Sequence, residues 1–555
     1  MLTRAEAITE QQLTHPREVR QVGVALAIAL MIIYALLLNP YWVRHGDSEV
    51  FLSLGRSLAR GEGFRFNGQP VSTVPPGWPI VLSGAMKLTS RLLLLKLIPM
   101  GSIIGFLMIS YAVLCRYTKP LVAALCVLTA GMLQPVFGLS YMFFSDPLFA
   151  LLCWAALWQA VRIGEGDTPP WRLALVVALT AAATAVRWNS LFWCALLVGA
   201  MVKGDLWPRL DRRWATAGIT FAVALAVFFG LRHSMRVDPS GIDPRYDEFL
   251  SGQYGILDDD TVTVTVGERL SHCGMWISGL LAYPAMQQKA TRELCNVLGW
   301  ILIGIMCIPT IAHAKRRDWL TLAVMLHLAV LFARWASPLP RYIMLLAPLI
   351  LWMIYDGITR CFALLPMRLA PVRTALLNAV FAVLISGNGV IYLTELLVMR
   401  NHHFYQRVEG GTIKELVDAA WYLDRLPKSS TPYEIAISPR RMNLDHEYFT
   451  GGHFRALNFL TNRPILSVPS EPEELCREPD ADVIKWLKEH NARFYLYEPP
   501  IWVIMPGHFS LLTSSQGIPI NKSETEWRLY EIVGDEARRV ELEPTEGWPR
   551  NVPGL

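Results

Sequence analysis

The sequence predicts a polytopic α-helical membrane protein with a small extracytoplasmic α/β domain after its last span. Three observations carry that reading. The 555 residues are 53% hydrophobic and only 17% charged, against about 25% charged in ordinary proteins. The apolar residues gather into long runs with few charges, which call for a bilayer instead of a core. The polar residues collect after about Val398, where helix-spaced and strand-like segments alternate.

In chain order, the clearest runs are Gln21 to Asn39, Leu121 to Leu139, Ala215 to Leu231, Arg341 to Ile358 and Ala375 to Leu397. Shorter or interrupted runs lie at Leu97 to Leu114, Pro147 to Ile163, Arg172 to Val186, Leu191 to Val202, Val297 to Ala312 and Leu320 to Ala333. Together they predict about eleven transmembrane helices. The first run is long for a secretory signal and no small-x-small site follows it, so it reads as an uncleaved anchor.

The formal net charge is +5, and its placement says more than its size. With a cytoplasmic N-terminus, Arg4, Arg17 and Arg20 fall on one side together with Arg116 and Lys119, and with Lys203, Arg209, Arg212 and Arg213. Lys315, Arg316, Arg317, Arg360, Arg368 and Arg373 join them, as the positive-inside rule requires. The positive charge needs no nucleic acid to explain it.

This orientation divides the chain into a membrane domain, 1–397, and an outer domain, 398–555. Residues 40–78 become a first outer loop, and residues 232–294 a large one. In the first loop, Asp47 to Arg60 reads as a short amphipathic helix lying flat on the membrane. Gly61, Gly63 and Gly68 turn the chain back, and Pro75 and Pro76 hold it extended. The start of the following segment reads as an interfacial helix whose Lys87, Arg91 and Lys96 reach the headgroups. Cys273 and Cys295 share the large loop, where a disulfide between them is one option in an oxidising compartment. Six of the nine cysteines lie in or beside spans as apolar filler. In the outer domain, Thr412 to Leu426 and Asp480 to Glu489 read as helices. Glu434 to Ile437, Phe494 to Tyr497 and Trp527 to Val533 read as strands.

Chemistry points to one membrane face. Asp47 and Glu49 follow the first span, and Asp146 stands at the outer end of another, in Ser145-Asp146-Pro147. Each aspartate alone would pass as a helix cap. Arg187, Arg334 and Arg341 reach the same boundary, where the positive-inside rule would not put them. Carboxylates with arginines at one interface suit a phosphate-bearing lipid substrate: a carboxylate takes an acceptor proton, and arginine forks hold the leaving phosphate. A divalent metal ion on Asp47 and Asp146 is a second way to hold it. Glu49 reads as a solvated neighbour in the substrate region, not as a second base.

The first loop also resembles that of GT-C membrane glycosyltransferases, particularly the protein O-mannosyltransferase and lipid A aminoarabinose transferase group. The residues are Asp47, Phe51, Ser57-Leu58-Ala59-Arg60-Gly61-Glu62-Gly63-Phe64, Asn67-Gly68-Gln69-Pro70 and Pro75-Pro76-Gly77-Trp78-Pro79. Ser145-Asp146-Pro147-Leu148, Arg187-Trp188-Asn189 and Pro340-Arg341-Tyr342-Ile343 resemble further motifs of that group, while 232–294 matches none. The resemblance implies Asp47 as catalytic base, Asp146 as second acid or metal support, and Arg341, Tyr342 and Arg187 at the donor phosphate. It implies a polyprenyl-phosphate sugar as donor, a lipid, glycan or protein as acceptor, and a bacterial inner membrane as location.

A rival reading is a transporter or flippase of a lipid-linked sugar, which calls for midplane charges and internal symmetry; a third is a non-catalytic scaffold. The histidines His45, His272 and His453 carry no pairing pattern, and Asn521-Lys522-Ser523 fits a glycosylation sequon.

Overall fold

The computed structural model describes residues 16–40, 42, 47–72, 74–202, 212–235, 273–282, 289–334, 340–363, 370–400, 412–427, 434–437, 457–463, 465–467, 479–497, 528–542 and 552–553. Helix α1 (Pro16–Leu37) turns Gly23, Leu26, Leu30, Tyr34 and Leu37 inward at three- and four-residue spacing. Val24, Ile28, Met31 and Ile32 stay exposed on its other side. A stripe that apolar is stable only against lipid. Tyr34 donates its hydroxyl to the Gly131 carbonyl at 2.9 Å, and Tyr392 donates to the Ile33 carbonyl at 2.7 Å. Two tyrosines thus tie the first helix to segments about one hundred and several hundred residues away, a spacing fixed by packing alone.

Among the described residues, seven helices are long and apolar enough to cross a membrane: Pro16–Leu37, Leu92–Leu114, Asp146–Gly164, Arg213–Ser234, Thr291–Lys315, Met344–Ala363 and Ala379–Leu397. Pro120–Met132 and Gln134–Ser140 make an eighth if taken together, and they bend by 68°. The bend falls at Leu133, which is extended (φ −67°, ψ 132°), with a proline in the first turn that follows. Proline in that turn cannot continue the preceding helical ladder. The runs expected at Arg172 to Val186, Leu191 to Val202 and Leu320 to Ala333 fall on shorter apolar helices, Pro170–Val186, Ser190–Met201 and Leu320–Phe332.

The first loop differs from expectation. Its helix α2 (Asp47–Ala59) forms, but Ser48 through Ser57 are buried on every side. It does not lie open on a membrane surface, because the helix Gly77–Met86 packs against it and residues of the C-terminal region reach it. Arg56 is buried and donates to the carbonyls of Phe459 at 2.8 Å and Pro553 at 2.9 Å, while Trp42 packs on Phe459. The hairpin β1 (Arg65–Phe66) and β2 (Gln69–Pro70) follows, turning through Asn67 at φ 53° and Gly68 at φ 77°. Helix α3 (Gly77–Met86) comes next. Lys87 and Arg91 are exposed as a headgroup-reaching pair would be. Lys96 is not: it is 0% exposed and donates to the side-chain and backbone oxygens of Asn39 at 2.8 and 3.2 Å. A buried ammonium needs such oxygens near it, and Asn39 supplies them.

The large loop is only partly a loop. Cys273–Leu281 is a buried helix, and Lys289–Lys315 begins before Leu294. Cys273 lies on the first and Cys295 on the second, both buried as thiols and not joined to each other. Two glycines let these helices meet: a Cβ on Gly274 or Gly299 would collide with the opposing backbone, at 2.0 and 1.8 Å.

After the long helix Ala370–Arg400 come, among the described residues, a helix, Thr412–Arg425, and five strands: β3 (Ile435–Ile437), β4 (Ile465–Ser467), β5 (Phe494–Tyr497), β6 (Arg528–Val533) and β7 (Glu536–Arg539), in the order β4-β3-β5-β6-β7. β3 runs parallel to both β4 and β5, and β5, β6 and β7 are antiparallel. Helix Ala481–Glu489 is capped by Asp480, which accepts from the Val483 amide at 3.0 Å. It packs Val483 and Leu487 under Tyr495 and Tyr497.

Candidate active site

Asp47 opens α2, and its Oδ2 accepts from Nη1 of Arg341 at 2.9 Å. Arg341 sits in a single helical turn, Pro340–Tyr342, that precedes the buried helix Ala347–Ala363. Its second amino group reaches the Tyr342 hydroxyl at 3.4 Å, and the guanidinium stacks 5.4 Å from Phe144 and 5.2 Å from Tyr342. Burial alone would lower its pKa, but the charges of Asp47, Tyr342 and Asp146 outweigh burial and leave it raised. Arg341 is a permanent cation.

Beside it lies a second pair, Asp146 with Arg187. Asp146 starts the helix Asp146–Gly164 and Arg187 ends Pro170–Val186. The Arg187 guanidinium also lies 5.7 Å from the Tyr342 ring, so one tyrosine ring serves both arginines. Two acids and two bases from four separate stretches of chain therefore meet around Tyr342.

The first loop supplies the scaffold. The Ser48 hydroxyl, next to Asp47, accepts the Phe143 amide at 3.2 Å. The indole of Trp78 donates to the Phe143 carbonyl at 2.8 Å. Phe143 is thereby fixed through both backbone groups three residues before Asp146. Gly77 does the same for Arg187 by contact: a Cβ there would stand 2.7 Å from the Ala185 carbonyl oxygen and 2.9 Å from the Val186 amide. Only glycine allows that approach. The Pro-Pro-Gly-Trp run thus aligns both elements that carry the second ion pair.

Of the residues expected at the site, Asp47, Asp146, Arg187, Arg341 and Tyr342 are brought together. Glu49 is not solvated: it is 0% exposed inside the loop, one turn into a helix whose every face is covered. Arg334 ends the helix Leu320–Arg334, and its side chain lies outside what is described. His45, His272, His453 and Asn521-Lys522-Ser523 also lie outside the described residues. Ser48, Phe143 and Phe144 gave no signal in the sequence, since a serine after an aspartate and two phenylalanines in an apolar run are ordinary. Nor did Tyr141, whose hydroxyl hydrogen-bonds the buried Glu395 at the end of Ala370–Arg400.

No family model and no curated protein matches the sequence. Solved structures do match in shape. ArnT from Cupriavidus metallidurans in the apo state superposes with a TM-score of 0.53 at 14% identity, over 86% of this chain and 92% of that one. The same protein bound to undecaprenyl phosphate gives 0.53 at 13%, over 86% and 93%. The archaeal oligosaccharyltransferase AglB from Archaeoglobus fulgidus, in complex with an inhibitory peptide and a dolichol-phosphate, gives 0.54 at 11%, over 86% and 69%. The chain shares the fold of these proteins.

A metal ion would need more donors than two carboxylates supply. Among the described residues no three His, Cys, Asp or Glu groups converge to hold one, and both aspartates face guanidinium groups. The aspartates on their own do not make a metal site.

Proposed function

We propose that this protein is an inverting glycosyltransferase that moves a sugar from a polyprenyl-phosphate donor to an acceptor at the extracytoplasmic face of a membrane. The observation that carries the reading is the Asp47–Arg341 pair at 2.9 Å with Asp146–Arg187 beside it. It provides a carboxylate base and phosphate-binding forks at one place. Asp47 takes the proton of the acceptor hydroxyl as its oxygen bonds to the anomeric carbon. The bond from that carbon to the phosphate oxygen breaks with its electron pair, and Arg341, supported by Arg187 and Tyr342, holds the departing phosphate. Asp146 orients Arg187. The donor class is supported by the undecaprenyl phosphate and dolichol-phosphate carried by the similarly folded proteins; the acceptor is a lipid, a glycan or a protein.

The same reading takes Pro170–Val186, Ser190–Met201 and Leu320–Arg334 as spans too, giving eleven with the N-terminus cytoplasmic, in a bacterial inner membrane. Residues 398–555 are then an extracytoplasmic α/β domain bearing on acceptor choice. The test is transfer of label from radiolabelled polyprenyl-phosphate sugars to endogenous acceptors in membranes holding the wild type or Asp47→Asn. Label moving only with the wild type supports the reading. No transfer by either, across several sugars and with divalent metal added, overturns it in favour of a transporter or scaffold.

A further inference from the structure

The carboxylate that has to act as base is held by the same guanidinium that has to hold the phosphate. Asp47 accepts from Arg341 at 2.9 Å, and a carboxylate in such a pair is a poor proton acceptor, because the cation favours its charged form. A phosphate arriving at Arg341 competes for that cation, with more acceptor oxygens than a carboxylate has. Arg341 has room to change partner: its Nε is buried and has no hydrogen-bond partner among the described residues. Its Nη2 makes only a 3.4 Å contact with Tyr342. The aromatic faces of Phe144 and Tyr342 support the guanidinium whichever anion it holds. Arg187, by contrast, belongs to Asp146, so the second pair does not have to open.

We infer that Arg341 is exchanged between two anions during the cycle: it masks Asp47 until a donor phosphate takes it over, and only then is Asp47 unmasked as a base. Donor binding therefore comes before acceptor deprotonation. An acceptor that arrives first meets a carboxylate already engaged. This deepens the proposed function and rests on it, since it assumes that a polyprenyl phosphate binds at Arg341.

The test is binding of undecaprenyl phosphate to the full-length protein, titrated by native mass spectrometry, in the wild type, Asp47→Asn, Arg341→Gln and the double variant. Removing the competitor should tighten binding, so Asp47→Asn is expected to bind at least about fivefold more tightly, the low end of ordinary coupling between ligands. The gain should vanish in the Arg341→Gln background, which separates exchange at Arg341 from a general change in site charge. Asp47→Ala gives the same sign should Asp47→Asn fail to fold. Unchanged or weaker binding by Asp47→Asn, or a gain that survives in the double variant, overturns the exchange while leaving the donor reading intact. Absence of saturable binding by the wild type overturns the donor reading itself.

Discussion

The indole of Trp78 donates to the carbonyl of Phe143 across 2.8 Å. The bond is buried, and it joins the first loop to the turn that presents Asp146. Replacing Trp78 with Phe keeps most of the packing volume but leaves that carbonyl without its donor, at a cost of about 1–3 kcal/mol. Because Phe143 is held on its other side by Ser48, the turn should loosen without detaching. The expected result is a kcat lowered by up to about 10²-fold with KM nearly constant, the loss that a misplacement of about 1 Å brings. A change confined to KM would show that the turn does not orient the reacting groups.

Two glycines in the same helix should respond in opposite ways. Gly77→Ala drives a methyl into the Ala185 carbonyl, 2.7 Å away, and backbone cannot step aside. It should destabilise the protein by about 1–3 kcal/mol and lower transfer by displacing Arg187. Gly84, seven residues on, has nothing within 4 Å of a Cβ. Gly84→Ala should be neutral or stabilising by about 0.5–1 kcal/mol, the helix preference of alanine over glycine. Thermal unfolding of the detergent-solubilised variants reads both.

The Asp146–Arg187 pair, in which Asp146 is 5% and Arg187 17% exposed, should behave as a coupled unit. Asp146→Asn or Arg187→Gln alone strands a largely buried charge, and each is expected to destabilise by about 3 kcal/mol. The double variant should lose much less than their sum. Additive losses in thermal unfolding would mean that the two side chains act separately.

Asp47→Asn should leave the fold intact, since the side chain keeps its size and shape while losing its charge. Transfer should fall by about 10²–10⁴-fold, the usual contribution of a positioned general base. Near-wild-type turnover in the radiolabel assay would remove Asp47 from the chemistry.

Much of this arrangement was legible in the sequence, for physical reasons. Long apolar runs and one-sided basic loops announce a bundle, because lipid leaves few alternatives. Arg187, Arg334 and Arg341 stood out as arginines at a boundary where the positive-inside rule would not put them, and Asp47 and Asp146 as carboxylates sharing that face. What the sequence could not show was pairing. Asp47 and Arg341 are 294 positions apart, and periodicity carries no information over that distance. It also misplaced Lys96 and Glu49, read as reaching headgroups and solvent. Both lie inside the protein: Lys96 against Asn39, and Glu49 within α2, where Ser48 through Ser57 are all buried. The broken helix at Leu133 hid in an apolar run whose single proline was its one local mark.

The side chain of Asn67 accepts the Ile465 amide at 2.6 Å and donates to the Ile465 carbonyl at 2.9 Å. Asn67→Ala removes both bonds, so the segment around β4 should become more sensitive to limited proteolysis while the membrane helices stay protected.

Those two bonds also have a meaning for solubility. Among the described residues β4 is an outermost strand of its sheet, with β3 on its inner flank. An uncovered strand margin is a template on which another chain can build. By imitating a peptide unit, Asn67 blunts that margin at Ile465, much as β7 at the far margin is blunted by Glu536, Arg538 and Arg539. The hairpin of the first loop is thus a safeguard against self-association as well as a support. A soluble fragment cut free of the membrane part would lose it and should be prone to oligomerise through β4.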